Sequence, residues 1–280
     1  WLGGEDAIRE FQPPAFAPTE DTKVSVTKIR VPANWAQIME GQIDSSHSSS
    51  LHSSDMVPAR VEGAGADDKA WYRPSTDRSP RMHVERTDYG FHYVAIRHPI
   101  KQATINEYFR ITEYIAPFTC LIPPNSSYNV TTVVVPIDDE NSILNFIAWG
   151  GENCPDTAEW RRFNHSVPGD DLDENWVSKR QSHNKFLQDR QWMKQGNFTG
   201  VPGIPNQDII MWVSMGAIVD RTSDRLAASD MAVVEFRKLM VDAAKTMKTG
   251  GQAIGSTSHL HHTQIRSYEG VHPKETDWKT

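Results

Sequence analysis

Alternation of apolar and polar positions is the clearest signal in the chain. Residues 23–31 (KVSVTKIRV) send successive side chains to opposite sides, which predicts a half-buried strand. Two β-rich runs between 82 and 100 flank Asp88-Tyr89-Gly90 and predict a hairpin. Further β-rich runs at 107–117, 128–136 and 142–149 are separated by short turn-forming stretches, so an antiparallel meander is expected. A different period holds at 34 to about 46, where Trp35, Ile38, Met39 and Ile43 form an apolar helical stripe and the serines at 48–50 disfavour its continuation. Beyond Gly150, helices are expected at 156–164, 184–194, 208–220 and 229–247. The last carries a stripe of Met231, Val234, Leu239, Ala243 and Met247, with Ser229 as N-cap and Asp230 in the first turn. Residues 1–22 read as an irregular lead-in, 62–80 as a loop and 250–280 as a Gly/Ser/His-rich tail, leaving 23–249 as the folded body. The sum is an α+β domain: one curved antiparallel sheet wrapped on a long C-terminal helix.

Composition narrows the function classes. A net charge of −7 without a basic stripe argues against a nucleic-acid partner. No apolar run reaches the ~18 residues of a membrane span, and no secretory leader pattern opens the chain. The two cysteines, Cys120 and Cys154, form no CxxC pair, which excludes a zinc ribbon or an iron–sulfur cluster held wholly by these thiols and fits a cytoplasmic location. Nine tryptophans point to a well-filled core. The first residue is Trp1, not methionine, so the chain is expected to be a processed product or a part of something longer.

Chemistry concentrates at residues 34–52, where Asp44, His47 and His52 follow a D-x2-H-x4-H spacing. Asp44 and His47 share a helical face, whereas His47 and His52 lie about 140° apart on a regular helix. Both imidazoles reach one ion only if the helix ends or distorts between them, and the serine run is where that is expected. Imidazole suits iron, zinc or copper, and two histidines with one carboxylate form the donor set of non-haem Fe(II) oxygenases. The third ligand must come from elsewhere.

The stretch NW-x-Q-x2-EG-x2-D-x2-H-x4-H resembles the mononuclear-iron motif of the Rieske non-haem iron oxygenase large subunits. NQDIIMWVSMGAIVDRT and LAASDMAVVEFRKLM look like that family's C-terminal helices, and FLQDRQWMKQGNFTG at 186–200 is similar to its phthalate dioxygenase branch. These pieces keep the family order over about 34–247. The resemblance implies Fe(II) held by His47, His52 and Asp208, with Asp220 and Asp224 as less favoured third ligands; otherwise Asp208 is a first-turn aspartate favoured by the helix dipole. It implies for Asp44 a hydrogen bond to a ligand histidine and a bridge to a cluster-bound histidine of a neighbouring subunit; the plain alternative is an ordinary helix aspartate. The family's C-x-H and C-x2-H cluster motif has no match here, and Trp1-Leu2-Gly3 looks like the end of that domain, so a [2Fe–2S] Rieske cluster is expected in a part outside this chain.

The family branch implies an aromatic carboxylate and O2 as substrates. Arg73, after the iron motif, and Arg110, in a β-rich run, are the expected carboxylate partners, and Ser45 beside the metal motif adds a hydroxyl. Tyr108, Arg110, Thr112 and Tyr114 share one strand face, which faces either a ligand cavity or solvent. Two arginines match two carboxylates, which favours phthalate over benzoate, and the resemblance implies dihydroxylation to a cis-dihydrodiol. The alternatives are monohydroxylation or O-demethylation of an aromatic acid, a non-catalytic aromatic-acid binder, and a zinc hydrolase. An NAD(P)H-dependent flavin and iron–sulfur reductase and a homotrimer or stacked trimers are the expected partners.

Overall fold

The computed structural model describes residues 12–58, 71–124, 127–256 and 260–279. Ten strands and five α-helices follow in chain order: β1 (Lys23–Val31), α1 (Trp35–Ile43), β2 (Met56–Pro58), β3 (Trp71–Arg73), β4 (Arg81–Thr87), β5 (Gly90–Arg97), β6 (Asn106–Ile115), β7 (Thr119–Ile122), β8 (Asn129–Pro136), β9 (Ser142–Gly150), α2 (Thr157–Phe163), α3 (Arg190–Lys194), α4 (Ile204–Ser214), α5 (Met231–Lys248) and β10 (Tyr268–Pro273).

The main sheet runs β1-β9-β8-β7-β6-β5-β4, so every neighbour from β4 to β9 is consecutive and the expected antiparallel meander is present. β1 closes one side against β9 in the register Lys23↔Gly150 to Val31↔Ser142. β6 divides its far edge: β7 pairs with Glu113–Ile115 and β10 with Asn106–Ile111. β2 and β3 form a separate parallel pair.

Period-two patterning sorts β5 into two cores. Phe91, Tyr93 and Ala95 join Ile38, Met39, Ile43, Trp212, Phe236 and Leu239 on the helix-covered face. Val94 and Ile96 pack with Phe109 and Trp278 on the other. The lead-in covers that second face further along, where Phe16 meets Leu121, Ile147 and Trp149. A third cluster around Trp160 takes in Tyr128, Phe146, Ala148 and Ile204 and links α2, the sheet and α4.

Several elements depart from the sequence expectations. α1 ends at Ile43, three residues early, because Asp44 turns into extended backbone. The segment 184–194 is not one helix: a 3-10 stretch at Ser182–Leu187 precedes α3, and Lys185, Phe186 and Leu187 all have positive φ. α4 begins at Ile204 rather than 208, with a proline in its first positions, where the missing N–H costs nothing. The N-cap position of α5 is Asp230 rather than Ser229, which sits in a preceding 3-10 turn. Its buried stripe is Ala232, Val233, Phe236 and Leu239, with Met231 and Met247 exposed. Three strands, β2, β3 and β7, and the tail strand β10 were not expected. Part of the expected 62–80 loop, the Trp1-Leu2-Gly3 segment and His259 lie outside the described residues. Among the described residues no helix is long and apolar enough to cross a membrane.

Candidate metal centre

Asn34 starts the site. Its side chain accepts the Ala36 N–H at 2.9 Å and caps α1. The helix then approaches α4 so closely at Gly41 that a Cβ there would lie 2.3 Å from the Trp212 indole nitrogen. Only glycine fits that contact.

Asp44 ends α1 and turns the chain. Its carboxylate accepts the Ser46 N–H at 2.7 Å and the His47 N–H at 3.1 Å, which starts a 3-10 turn over His47–Ser49. The break therefore falls at 44–46, ahead of the serine run. It carries the chain round so that the Nε2 atoms of His47 and His52 lie 3.2 Å apart. Asp208, in the second turn of α4 rather than at its opening, brings Oδ1 to 3.1 Å from His52 Nε2 and 3.5 Å from His47 Nε2. Among the described residues these three form a group whose ligand atoms all lie within 4.8 Å of one another and could hold a metal ion.

Each imidazole is fixed from behind. His47 Nδ1 lies 3.2 Å from the Asp44 carboxylate. His52 Nδ1 lies 2.7 Å from Oε1 of Gln207. The Gln207 amide can point only one way, because its NH2 donates to Asp55 at 2.7 Å and to the Val201 carbonyl at 2.8 Å. His52 must then carry its proton on Nδ1, and the same logic applies to His47 facing an anionic acceptor. Both Nε2 atoms face Asp208, and in the neutral imidazoles their lone pairs complete a cation-binding donor set.

Electrostatics agree. Burial lowers the His47 pKa, but the Asp208 and Asp44 carboxylates outweigh it and push it up to about 10. Burial raises Asp208, yet His52 and His47 hold it down at about 2. Positive charge is strongly favoured among these atoms, and a metal ion would have to displace the proton on His47. The other two aspartates considered lie elsewhere: Asp220 caps the Thr222 turn, and Asp224 pairs with Arg237 at 2.8 Å.

A cavity opens from this triad. Ile122, Phe146 and Ile204 give it an apolar side, and Ser45, Arg73 and Arg110 give it a polar one. Arg73, 4% exposed, donates to Ser49 at 2.9 Å and Ser48 at 3.0 Å. Arg110, 3% exposed, faces the cavity rather than solvent; it donates to Glu269 and the Pro123 carbonyl, each at 3.0 Å, and to the Tyr108 hydroxyl at 3.1 Å. Burial and the charges of Arg110 and Arg97 drive the Arg73 pKa well down. On the other side of Asp44 a second, shallower cavity runs past Leu51, Phe198, Met211 and Met215 to the surface.

Sequence reasoning missed four side chains here. Gln207 stands next to Asp208 and was legible only through that adjacency. Glu269 lies in a tail without periodicity, and Arg97 closes an apolar run. Ser48 reads as a helix breaker but acts as a hydrogen-bond acceptor for Arg73.

A family model described as "LigXa C-terminal domain like" matches residues 1–280. The chain is 54% identical over 280 residues to a phthalate 4,5-dioxygenase oxygenase subunit of Pseudomonas putida, covering 100% of this chain and 64% of that protein. It is 28% identical over 279 residues to a 3-chlorobenzoate-3,4-dioxygenase oxygenase subunit of Comamonas testosteroni, covering 93% of this chain and 62% of that one. A solved structure of NdmB from Pseudomonas putida CBB5 aligns at a TM-score of 0.49 and 12% identity over 92% of this chain and 60% of that chain. The chain thus spans less than two thirds of the relatives it matches and belongs to the LigXa C-terminal domain-like family.

Proposed function

We propose that this chain is the catalytic part of an oxygenase that dihydroxylates an aromatic dicarboxylate, phthalate or a close analogue, to a cis-dihydrodiol. The observation that carries the reading is one cavity holding a two-histidine, one-aspartate donor set and an excess of buried cations. His47, His52 and Asp208 would hold ferrous iron beside the cavity that these same residues line. Bound there, iron supplies the activation of O2 that organic side chains cannot.

The protein's own part is placement. Arg73 and Arg110 line the cavity with buried guanidinium groups, Arg97 is buried against Ser45 of the lining, and Glu269 pairs with Arg110. An uncompensated buried cation is costly, so this arrangement favours a ligand with two negative charges over one with a single charge. The two carboxylates dock on Arg73 and Arg110, with Ser45 as a further hydrogen-bonding group, and the ring then lies against Ile122, Phe146 and Ile204. Orientation by such clamps fixes which ring edge faces the metal. Asp44 touches His47 on one side and opens to the outer cavity on the other, with its side chain 21% exposed, which supports a bridge to a donor docked there.

That donor would be a [2Fe–2S] Rieske cluster in a portion of the polypeptide outside this chain, contributed by a neighbouring copy in a cyclic trimer or stacked trimers. An NAD(P)H-dependent flavin and iron–sulfur reductase would supply its electrons. The test is product analysis on the full-length oxygenase with its reductase, phthalate and isotopically labelled O2. Both labelled atoms in one cis-dihydrodiol are expected. A singly labelled phenol, or release of formaldehyde from a methoxy analogue with phthalate untouched, would overturn the reading.

A further inference from the structure

Arg97 is the least explained group near the site. It closes β5, is 1% exposed, and its Nε and Nη1 have no hydrogen-bond partner. Its one committed nitrogen, Nη2, donates to the Ser45 carbonyl at 2.7 Å and lies 3.3 Å from the Ser45 hydroxyl. That same carbonyl accepts the Ser48 hydroxyl at 2.8 Å, and Ser48 in turn receives Arg73. A single relay thus runs from Arg97 through Ser45 and Ser48 to Arg73.

Sheet register puts Arg97 in the same charged patch from the other direction. Arg97 lies opposite Tyr108, and Tyr108 and Arg110 stand two apart on the same face of β6. Repulsion from Arg110 adds to burial in drawing the Arg97 pKa down to about 10. A buried arginine that only braced a loop would be expected to have its fork satisfied. This one keeps two donors open beside two other cations, an arrangement that costs stability until an anion arrives.

We infer that Arg97 is a positioning and specificity-determining residue: it holds the Ser45–Ser48 rest for Arg73 and adds the third positive charge that makes the cavity select a dianion. The inference rests on the aromatic-dicarboxylate reading and deepens it. Arg97 acts through Ser45 and through its field, so its removal weakens the doubly charged ligand more than the singly charged one.

The experiment is a pair of calorimetric titrations, phthalate against benzoate, on the iron-loaded wild type and on Arg97→Gln and Arg97→Lys. Gln keeps a donor for the Ser45 carbonyl and loses the charge, whereas Lys keeps the charge and loses the fork. In Arg97→Gln the phthalate-to-benzoate affinity ratio is expected to fall on the order of tenfold, with a melting temperature no lower than that of the wild type. In Arg97→Lys the ratio stays within about threefold of wild type. An unchanged ratio in Arg97→Gln, or an equal loss in Arg97→Lys, overturns the inference. Should the Gln variant fail to fold, the Lys ratio decides alone by the same limit. A wild type that binds phthalate no better than benzoate would instead sink the dicarboxylate reading itself.

Discussion

Gln207→Leu is the sharpest probe of how the centre is held. Gln207 is 1% exposed and makes three hydrogen bonds, to His52, Asp55 and the Val201 carbonyl. Leucine matches its volume and removes all three. At about 1 kcal/mol net for each, the loss is roughly 3 kcal/mol. For a chain of this size that is a fall in melting temperature of roughly 6–12 °C, at ~2–4 °C per kcal/mol. The effect on metal is separate. Without its acceptor, His52 Nδ1 carries an unpaired buried N–H, and the ring is free to rotate or to take the other tautomer. Loss of an outer partner of this kind weakens metal affinity ~10–100-fold. The assay is anaerobic Fe(II) titration against a competing chelator, with a thermal melt on the same samples. A Gln207→Leu protein that binds Fe(II) as tightly as wild type would refute the argument that Gln207 fixes His52, whatever its melting temperature.

Other expectations follow from the same contacts. Gly41→Ala should push Trp212, and with it α4 and Asp208, away from α1, lowering Fe(II) affinity in the same chelator assay more than the melting temperature. Arg73→Met removes the charged partner of one substrate carboxylate, so phthalate affinity should fall ~10–100-fold by calorimetry while Fe(II) binding holds. Trp160→Ala empties the fully buried site between Phe146, Phe163 and Tyr128 and should cost ~3–5 kcal/mol in denaturant unfolding. His92 lies 3.6 Å from Glu113 and 3.7 Å from Glu85; Glu113 raises its pKa above 6.5 against the opposing effect of burial, with Glu85 adding to the rise. A raised histidine stabilises most when protonated in the fold. The stability gap between wild type and His92→Gln should thus be full below about pH 6 and close as pH rises past the folded value, in melts taken from pH 5 to 9.

The sheet was legible in the sequence because both faces of a strand obey one short-range rule. β1 matches the alternating run 23–31 end to end, and the Asp88-Tyr89 hairpin falls where turn chemistry puts it. Helix ends were less legible because a short polar side chain can either continue a helix or compete for the backbone that would extend it. Asp44 spends its carboxylate on the backbone of Ser46 and His47 instead of continuing the helix, and that turn is what brings His52 back to His47. Glu269 was hidden for another reason. Its strand, β10, has no apolar alternation of its own and exists because β7 leaves the lower half of β6 unpaired. Arg97 was hidden by its neighbours, since a cation at the end of GFHYVAIR reads as the point where a strand meets solvent. The metal triad was reached differently: spacing offered Asp44, His47 and His52, and only family likeness proposed Asp208, 156 positions beyond His52 in the sequence. The structure places its carboxylate 3.1 Å from that histidine.

The central claim is that one ferrous ion sits among these three side chains. Anaerobic reconstitution followed by metal analysis tests it most directly, on the wild type and on His47→Ala, His52→Ala and Asp208→Ala. Iron at about one per wild-type chain, and little or none in each folded variant, is the predicted result. Stoichiometric iron retained by any of the three alanine variants, or a wild type that takes zinc and refuses iron, would contradict it.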